Sequence, residues 1–262
     1  MQQNLSFAAA KVPLITAANA AAPLDSPELL LARDEAVKIV YAPFDHIETK
    51  ARLVVVGITP GMTQAVNALN AAMKARERGL DLVQGLAAAK LTASFSGGAI
   101  RSNLITMLDA IGVARLFGIQ STAEMFKPGS NAVHFTSALR YPVFVDGKNY
   151  NGTPNMLRTP ILKNQVDTWL TEEARTLPEA IWLPLGPKVE EAVSHLASVG
   201  LLRHDQILSG MPHPSGANAE RVAVFLGRKR PEDASKQTNP APLIAAFSRL
   251  KTQISNLERS AA

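Results

Sequence analysis

A histidine held between prolines is the residue in this chain best placed to do chemistry. It stands in Gly210-Met211-Pro212-His213-Pro214-Ser215-Gly216-Ala217-Asn218. Proline fixes its own φ and keeps the preceding residue extended, so this loop is stiff and its imidazole is aimed. A neutral imidazole can donate one hydrogen bond to a developing anion without giving up its proton. Ser215 adds a hydroxyl, and the amides at the start of the helical run 219–226 can hold a phosphate. A second turn of the same kind lies far upstream, Gly57-Ile58-Thr59-Pro60-Gly61. There Gly57 and Gly61 allow close approach to the backbone, and Thr59 presents a hydroxyl. Two rigid turns at two strand ends are how an open α/β sheet builds a site.

The elements that must carry these turns follow from periodicity. Leu53-Val54-Val55-Val56 is apolar on both faces, the pattern of a buried parallel strand. Strands are expected at 132–139, 180–185 and 206–209 as well. Helices are expected at 63–78, 80–91, 100–111 with Gly112 as the stop, 157–174, 187–198, 219–226 with Asn218 as the cap, and 241–257. Asp25-Ser26-Pro27-Glu28 has the chemistry of a helix start and predicts a helix to about residue 40. Residues 142–153 read as a loop with Asp146-Gly147 and Asn151-Gly152 turns, and 228–239 as a polar loop. Strands alternating with helices predict an α/β fold: a three-layer α/β/α sandwich around a central, mostly parallel four-stranded sheet.

The chain has 262 residues, enough for one large domain with a sizeable core. Residues 1–24 read as an extended N-terminal segment and 25–262 as the single domain. There is no cysteine, hence no disulfide framework or thiolate metal site, which fits a reducing compartment. No His/Asp/Glu set has metal-ligand spacing, so neither metal nor cofactor is expected. A net charge of +5 permits a polyanionic partner. No apolar stretch is long enough for a bilayer, and no secretory signal is visible. The expectation is a cytoplasmic monomer with no membrane partner.

Taken together, the two turns resemble the two motifs of the uracil-DNA glycosylase superfamily. Gly57-Ile58-Thr59-Pro60-Gly61 is similar to the first, and His213-Pro214-Ser215-Gly216-Ala217-Asn218 to the second. Ser94-Phe95-Ser96-Gly97 resembles the segment whose ring stacks on the extruded base. Residues 144–154 resemble the loop of the single-strand-selective branch, and Trp182-Leu183-Pro184-Leu185-Gly186-Pro187-Lys188 the late strand-turn-helix. The likeness spans roughly residues 53–226. It implies a monofunctional DNA glycosylase that hydrolyses the N-glycosidic bond of a flipped base. In that reading His213 and Thr59 are catalytic. Phe95, Ser137 and Ile58 contact the base. Gly57, Pro60, Gly61, Ser215, Gly216, Asn218 and Arg221 grip the DNA.

Three positions depart from the family pattern. Thr59 stands where an aspartate or asparagine usually positions the attacking water; a hydroxyl orients water but is no general base at neutral pH. The other residues available as a base are Asp81, Glu77, His134 and Asp146. The base-reading asparagine is missing from the middle strand, leaving Thr136 and Ser137 in its region. Ala217 is a poor wedge for the gap left by a flipped base. All three point away from ordinary uracil, toward a modified pyrimidine such as those of hypermodified phage DNA, and so toward anti-phage defence. The alternatives are an ordinary uracil repair enzyme, an inactive DNA binder of the same fold, and a nucleotide- or sugar-binding α/β protein.

Overall fold

The apolar run at 53–56 becomes the middle strand of a parallel sheet. The computed structural model describes residues 3–94, 99–127 and 129–261. The chain opens with α1 (Ser6–Lys11) and α2 (Ala17–Ala21). It continues through β1 (Leu30–Asp34), β2 (Val37–Val40), β3 (Leu53–Gly57), α3 (Met62–Glu77), α4 (Leu82–Ala93), α5 (Ile100–Ile111) and α6 (Val113–Leu116). Then come β4 (Val133–Ser137), β5 (Val143–Val145) and β6 (Lys148–Asn149). The rest is α7 (Pro160–Gln165), running through the wider turn Val166–Leu170 into α8 (Thr171–Thr176), then β7 (Ile181–Pro184), α9 (Pro187–Ser198), α10 (Ala219–Phe225) and α11 (Pro240–Ala261).

The parallel sheet has the order β4-β3-β7. Its pleat divides the core. Val54, Val56 and Trp182 face the cluster that holds α3 and α4, while Leu53, Val55 and Leu183 face the one that holds α5, α10 and α11. Helices therefore cover both faces, as continuous apolar strands require. Where a fourth full strand is expected, the structure has a single parallel bridge, Trp182 to Ile207, backed by Leu208 N–H donating to the Trp182 carbonyl at 2.8 Å. Prolines 212 and 214 follow too soon for a longer ladder. Among the described residues the parallel sheet is thus three-stranded, with the His213 loop leaving from a one-bridge fourth position. Gly112 ends α5 as expected, in the left-handed conformation that glycine adopts without strain.

A second sheet, antiparallel and ordered β1-β2-β5-β6, is absent from the sequence-based expectation. The helix expected to run to residue 40 does not form. Its start signal is genuine but spends itself in one turn: the Ser26 hydroxyl accepts from Leu29 N–H, and Leu30 N–H donates to the Ser26 carbonyl. The chain then reverses at Glu35, and Val37, Ile39 and Val40 bury themselves in a ladder. β-Branched residues with a partner strand outcompete a local cap. The expected loop at 142–153 is partly a hairpin. Asp146 and Gly147 both have positive φ, 50° and 73°, the turn that suits a two-residue connection. Residues 6–14 and 17–21 are helical rather than extended, and Ala8, Val12, Ile15 and Ala20 are buried in the core, so the N-terminal segment packs on the domain.

Gly210 marks the tightest approach below the histidine loop. Its φ is +103°, and a Cβ there would lie 2.7 Å from both Ala246 Cβ and Arg249 Nη2 on α11. Gly210→Ala is expected to cost about 1–3 kcal/mol through strain and overpacking. A denaturant midpoint within about 0.5 kcal/mol of wild type would show that α11 can give way.

Candidate active site

Both turns open on one cavity. β3 and β4 pair in parallel with Gly57 opposite Ser137, so the two residues leave the sheet side by side at its carboxyl edge. His213 reaches the same place from the bridge position. The cavity has a volume of about 230 Å³, and Gly57, Ile58, Thr59, Pro60, Gly61, Ser137 and His213 all line it. That is below the ~300–1,000 Å³ of drug-sized ligand sites. A wider groove of about 1070 Å³ adjoins it, sharing Ile58 and His213; Asn218 and Arg221 line this groove, with Lys188 and Arg249. Ser215 and Gly216 line neither. Phe95, the expected stacking ring, lies outside the described residues. The aromatic side chains that do line the cavity are Phe44 and Tyr150.

The geometry of His213 fixes its chemistry. Its Nδ1 accepts the Ser215 N–H at 3.2 Å, which leaves the proton on Nε2. Burial lowers its pKa below the ordinary value, so the ring is neutral at pH 7 and can donate. The loop is pinned from the far core as well: Asn103 on α5 donates to the Pro214 carbonyl at 2.9 Å. Ser215 is held in turn, its hydroxyl accepting from Asn218 Nδ2 at 3.0 Å. Asn218 therefore makes no side-chain cap on α10, contrary to expectation.

Thr59 is more constrained than its sequence position implies. Its hydroxyl donates to the Tyr141 carbonyl and accepts from Val143 N–H, both at 3.2 Å. One lone pair remains, enough to hold a water by accepting from it. Gly61 is small for a different reason than ligand approach. A Cβ there would meet Gln64 Oε1 at 3.0 Å and Asn149 Nδ2 at 3.1 Å. Its N–H is taken by Gln64, and Asn149 Oδ1 accepts the next one, from Met62 at 2.9 Å. The first two amides at the N-terminus of α3 are thus satisfied within the protein.

Sequence reasoning missed the floor. Lys90, Arg140 and Asn149 line the cavity with no motif to announce them. Arg140 is 2% exposed and Glu173 fully buried. Arg140 Nε donates to Glu173 at 3.0 Å, Nη1 to Glu172 at 2.9 Å and Nη2 to the Trp169 carbonyl at 3.1 Å. Lys90, 4% exposed, donates to the His46 carbonyl at 2.6 Å and sits 3.9 Å from Glu173. Burial pushes the Lys90 amine down to about 8, against the pull of Glu173. Burial alone would raise the Glu173 carboxyl, but Arg140, Lys90 and His134 outweigh it and hold the group well below the usual carboxylate range. Beside this cluster Asp45 accepts from Tyr141 at 2.6 Å and Tyr41 at 2.9 Å.

None of the alternative general bases reaches the site. Asp81 caps α4, accepting from Gln84 N–H at 2.8 Å. Asp146 is at the hairpin tip and Glu77 ends α3. His134 is 1% exposed, accepts from Glu48 N–H, and turns Nε2 toward Glu173 at 3.4 Å. Among the described residues no carboxylate lines the cavity.

Burial holds both His134 and His46 at about 4, against 6.5 ordinarily. Their folded-state pKa values lie below the unfolded ones, so the unfolded chain binds protons first and stability falls as pH drops from 6.5 to 4. Asp45, whose carboxyl burial raises, opposes this at the acid end. The expected net loss is a few kcal/mol. Urea unfolding at pH 7 and 4.5 measures it, and equal stability at both would contradict neutral, buried rings.

Among the described residues no group of three or more His, Cys, Asp or Glu side chains could hold a metal, and no helix is long and apolar enough to cross a membrane. No family model matches the chain, and no solved structure does. The uncharacterized protein YoxB of Bacillus subtilis (strain 168) is 37% identical over 202 residues, covering 76% of this chain and 78% of the relative.

Proposed function

The chain belongs to the family of the Bacillus subtilis protein YoxB, and from its site we propose that it is a DNA glycosylase of the uracil-DNA glycosylase superfamily. It draws a base out of DNA and hydrolyses the N-glycosidic bond, leaving an abasic site. One observation carries this reading. Two turns about 150 residues apart in sequence meet at one cavity, with a neutral histidine donor at its edge. The parallel sheet with its bridge position then corresponds to the superfamily's four-stranded sheet.

With no carboxylate on the wall among the described residues, catalysis rests on the leaving group. As the glycosidic bond lengthens, negative charge grows on the base, and the His213 Nε2–H is a preorganised donor for it. Thr59 holds the attacking water through its remaining lone pair. Tyr150 and Phe44 offer ring faces to the base. The adjoining groove, with Lys188, Arg221 and Arg249, takes the phosphate backbone. The favoured substrate is a modified pyrimidine with a small substituent. A sugar-bearing base of hypermodified DNA has to place its sugar in the wider groove. Defence against phage is one setting for such an activity.

Oligonucleotides carrying uracil, hypoxanthine, 5-hydroxymethyluracil, 5-hydroxymethylcytosine or its glucosylated form, treated with protein and then alkali, test the reading. Strand cleavage at a modified pyrimidine, faster than at uracil, is expected. Fastest release of uracil identifies an ordinary repair enzyme. Tight DNA binding with no release from any substrate supports the second reading, an inactive binder, which the doubly hydrogen-bonded Thr59 hydroxyl and the absence of a wall carboxylate among the described residues favour.

A further inference from the structure

We infer that Lys90 reads the far edge of the bound base and restricts the site to pyrimidines with an oxo group at position 4. The inference rests on the glycosylase reading for the identity of the ligand as a base, and on the cavity alone for its polarity.

Lysine has three N–H donors and no acceptor. Lys90 spends one on the His46 carbonyl, and Glu173 at 3.9 Å is too far for a second hydrogen bond. Lys90 lines the cavity, and two N–H groups of its buried ammonium lack an acceptor among the described residues. Leaving such donors unpaired is costly, so the site gains by receiving an oxygen there.

Of the charged and amide wall, Gln64 already accepts from Gly61 N–H through its Oε1, and Arg140 and Asn149 share the polarity of Lys90. Arg140 is donor-only. The Asn149 amide oxygen is already occupied by Met62 N–H, leaving its Nδ2 hydrogens. The acidic partners of the cluster, Glu173 and Asp45, do not line the cavity: Glu173 Oε1 accepts from Arg140, its Oε2 faces His134, and Asp45 accepts from two tyrosine hydroxyls. An exocyclic amine at position 4 would set donor against donor. A 4-oxo group accepts from Lys90 instead. Because negative charge spreads onto that oxygen as the base departs, the same contact strengthens in the transition state.

5-Hydroxymethyluracil and 5-hydroxymethylcytosine have the same substituent and differ at position 4, oxo against amino, and at N3, which carries a proton in the first and a lone pair in the second; the Lys90 variants separate the position-4 contact from the N3 difference. Calorimetric titration with the free bases reads preference without requiring catalysis. The full chain is expected to bind the 4-oxo base at least ~10-fold more tightly, a margin ordinary for a site built to pair a polar group. Lys90→Met keeps the aliphatic stem and should bring the two bases within about twofold. Lys90→Arg keeps charge and donors, guards against loss of the fold, and should retain the 4-oxo preference. A preference unchanged in Lys90→Met, a 4-amino preference in the wild type, or binding of neither base would overturn the inference. Failure of the glycosylase reading looks different: the Lys90-dependent preference persists but no oligonucleotide loses its base.

Discussion

Under the proposed glycosylase reading, His213→Ala is expected to lower turnover by ~10²–10³ while leaving DNA affinity within a few-fold, because in that reading the side chain acts on charge that exists only during bond breaking. The prediction is sharp because the ring has a defined role. Its Nδ1 is occupied by Ser215 N–H, so Nε2–H is the donor, and Asn103 holds the loop from α5. Truncation removes the donor without opening the core. Single-turnover rates, paired with binding to the same oligonucleotide, separate the two quantities. A variant that loses affinity and rate in proportion would make His213 a docking residue. One that keeps its rate would move the chemistry elsewhere in the cavity.

Glu173→Gln is expected to destabilise the protein by about 3–5 kcal/mol, the cost of leaving buried charge without its partner. The carboxylate is fully buried and answers two cations, Arg140 and Lys90, both nearly inaccessible to water. A neutral amide offers one acceptor where the carboxylate gave two, and adds a donor pointing at other donors. For a domain of this size such a loss lowers the melting temperature by roughly 10 °C. Equilibrium unfolding checks it. A change below about 1 kcal/mol would mean that water reaches the cluster and that the cavity floor is wet. Replacing Glu173 together with Lys90 should be milder than the sum of the single changes, since each removes the other's unpaired partner.

Much of the frame was legible because it is written in local chemistry. Leu53–Val56 is apolar at every position, and only a strand covered on both faces uses that pattern. Gly57 and Ser137 both end strands, so parallel pairing was enough to bring them together. The prolines around His213 announced a stiff loop before its partners were known. The antiparallel sheet was hidden for the opposite reason. Val37-Lys38-Ile39-Val40 is too short to declare its period, and of the two strands it pairs with, β5 is about 100 residues away. Lys90 was invisible in principle. A lysine on an alanine-rich helix reads as solvent-facing, and only the convergence of Glu173, His46 and Arg140 turns it inward. Thr59 was read as a free hydroxyl because its partners, Tyr141 and Val143, sit more than 80 positions downstream.

The Thr59 hydroxyl and the Asn149 amide act as two stitches between the sheets, one to the β5 approach and one from β6 to the first turn of α3. The hairpin is therefore a handle on the aperture of the cavity. Residues grafted at its Asp146-Gly147 tip, far from any reacting atom, would tug both seams at once, giving an engineer a way to widen or narrow the mouth without altering a wall residue.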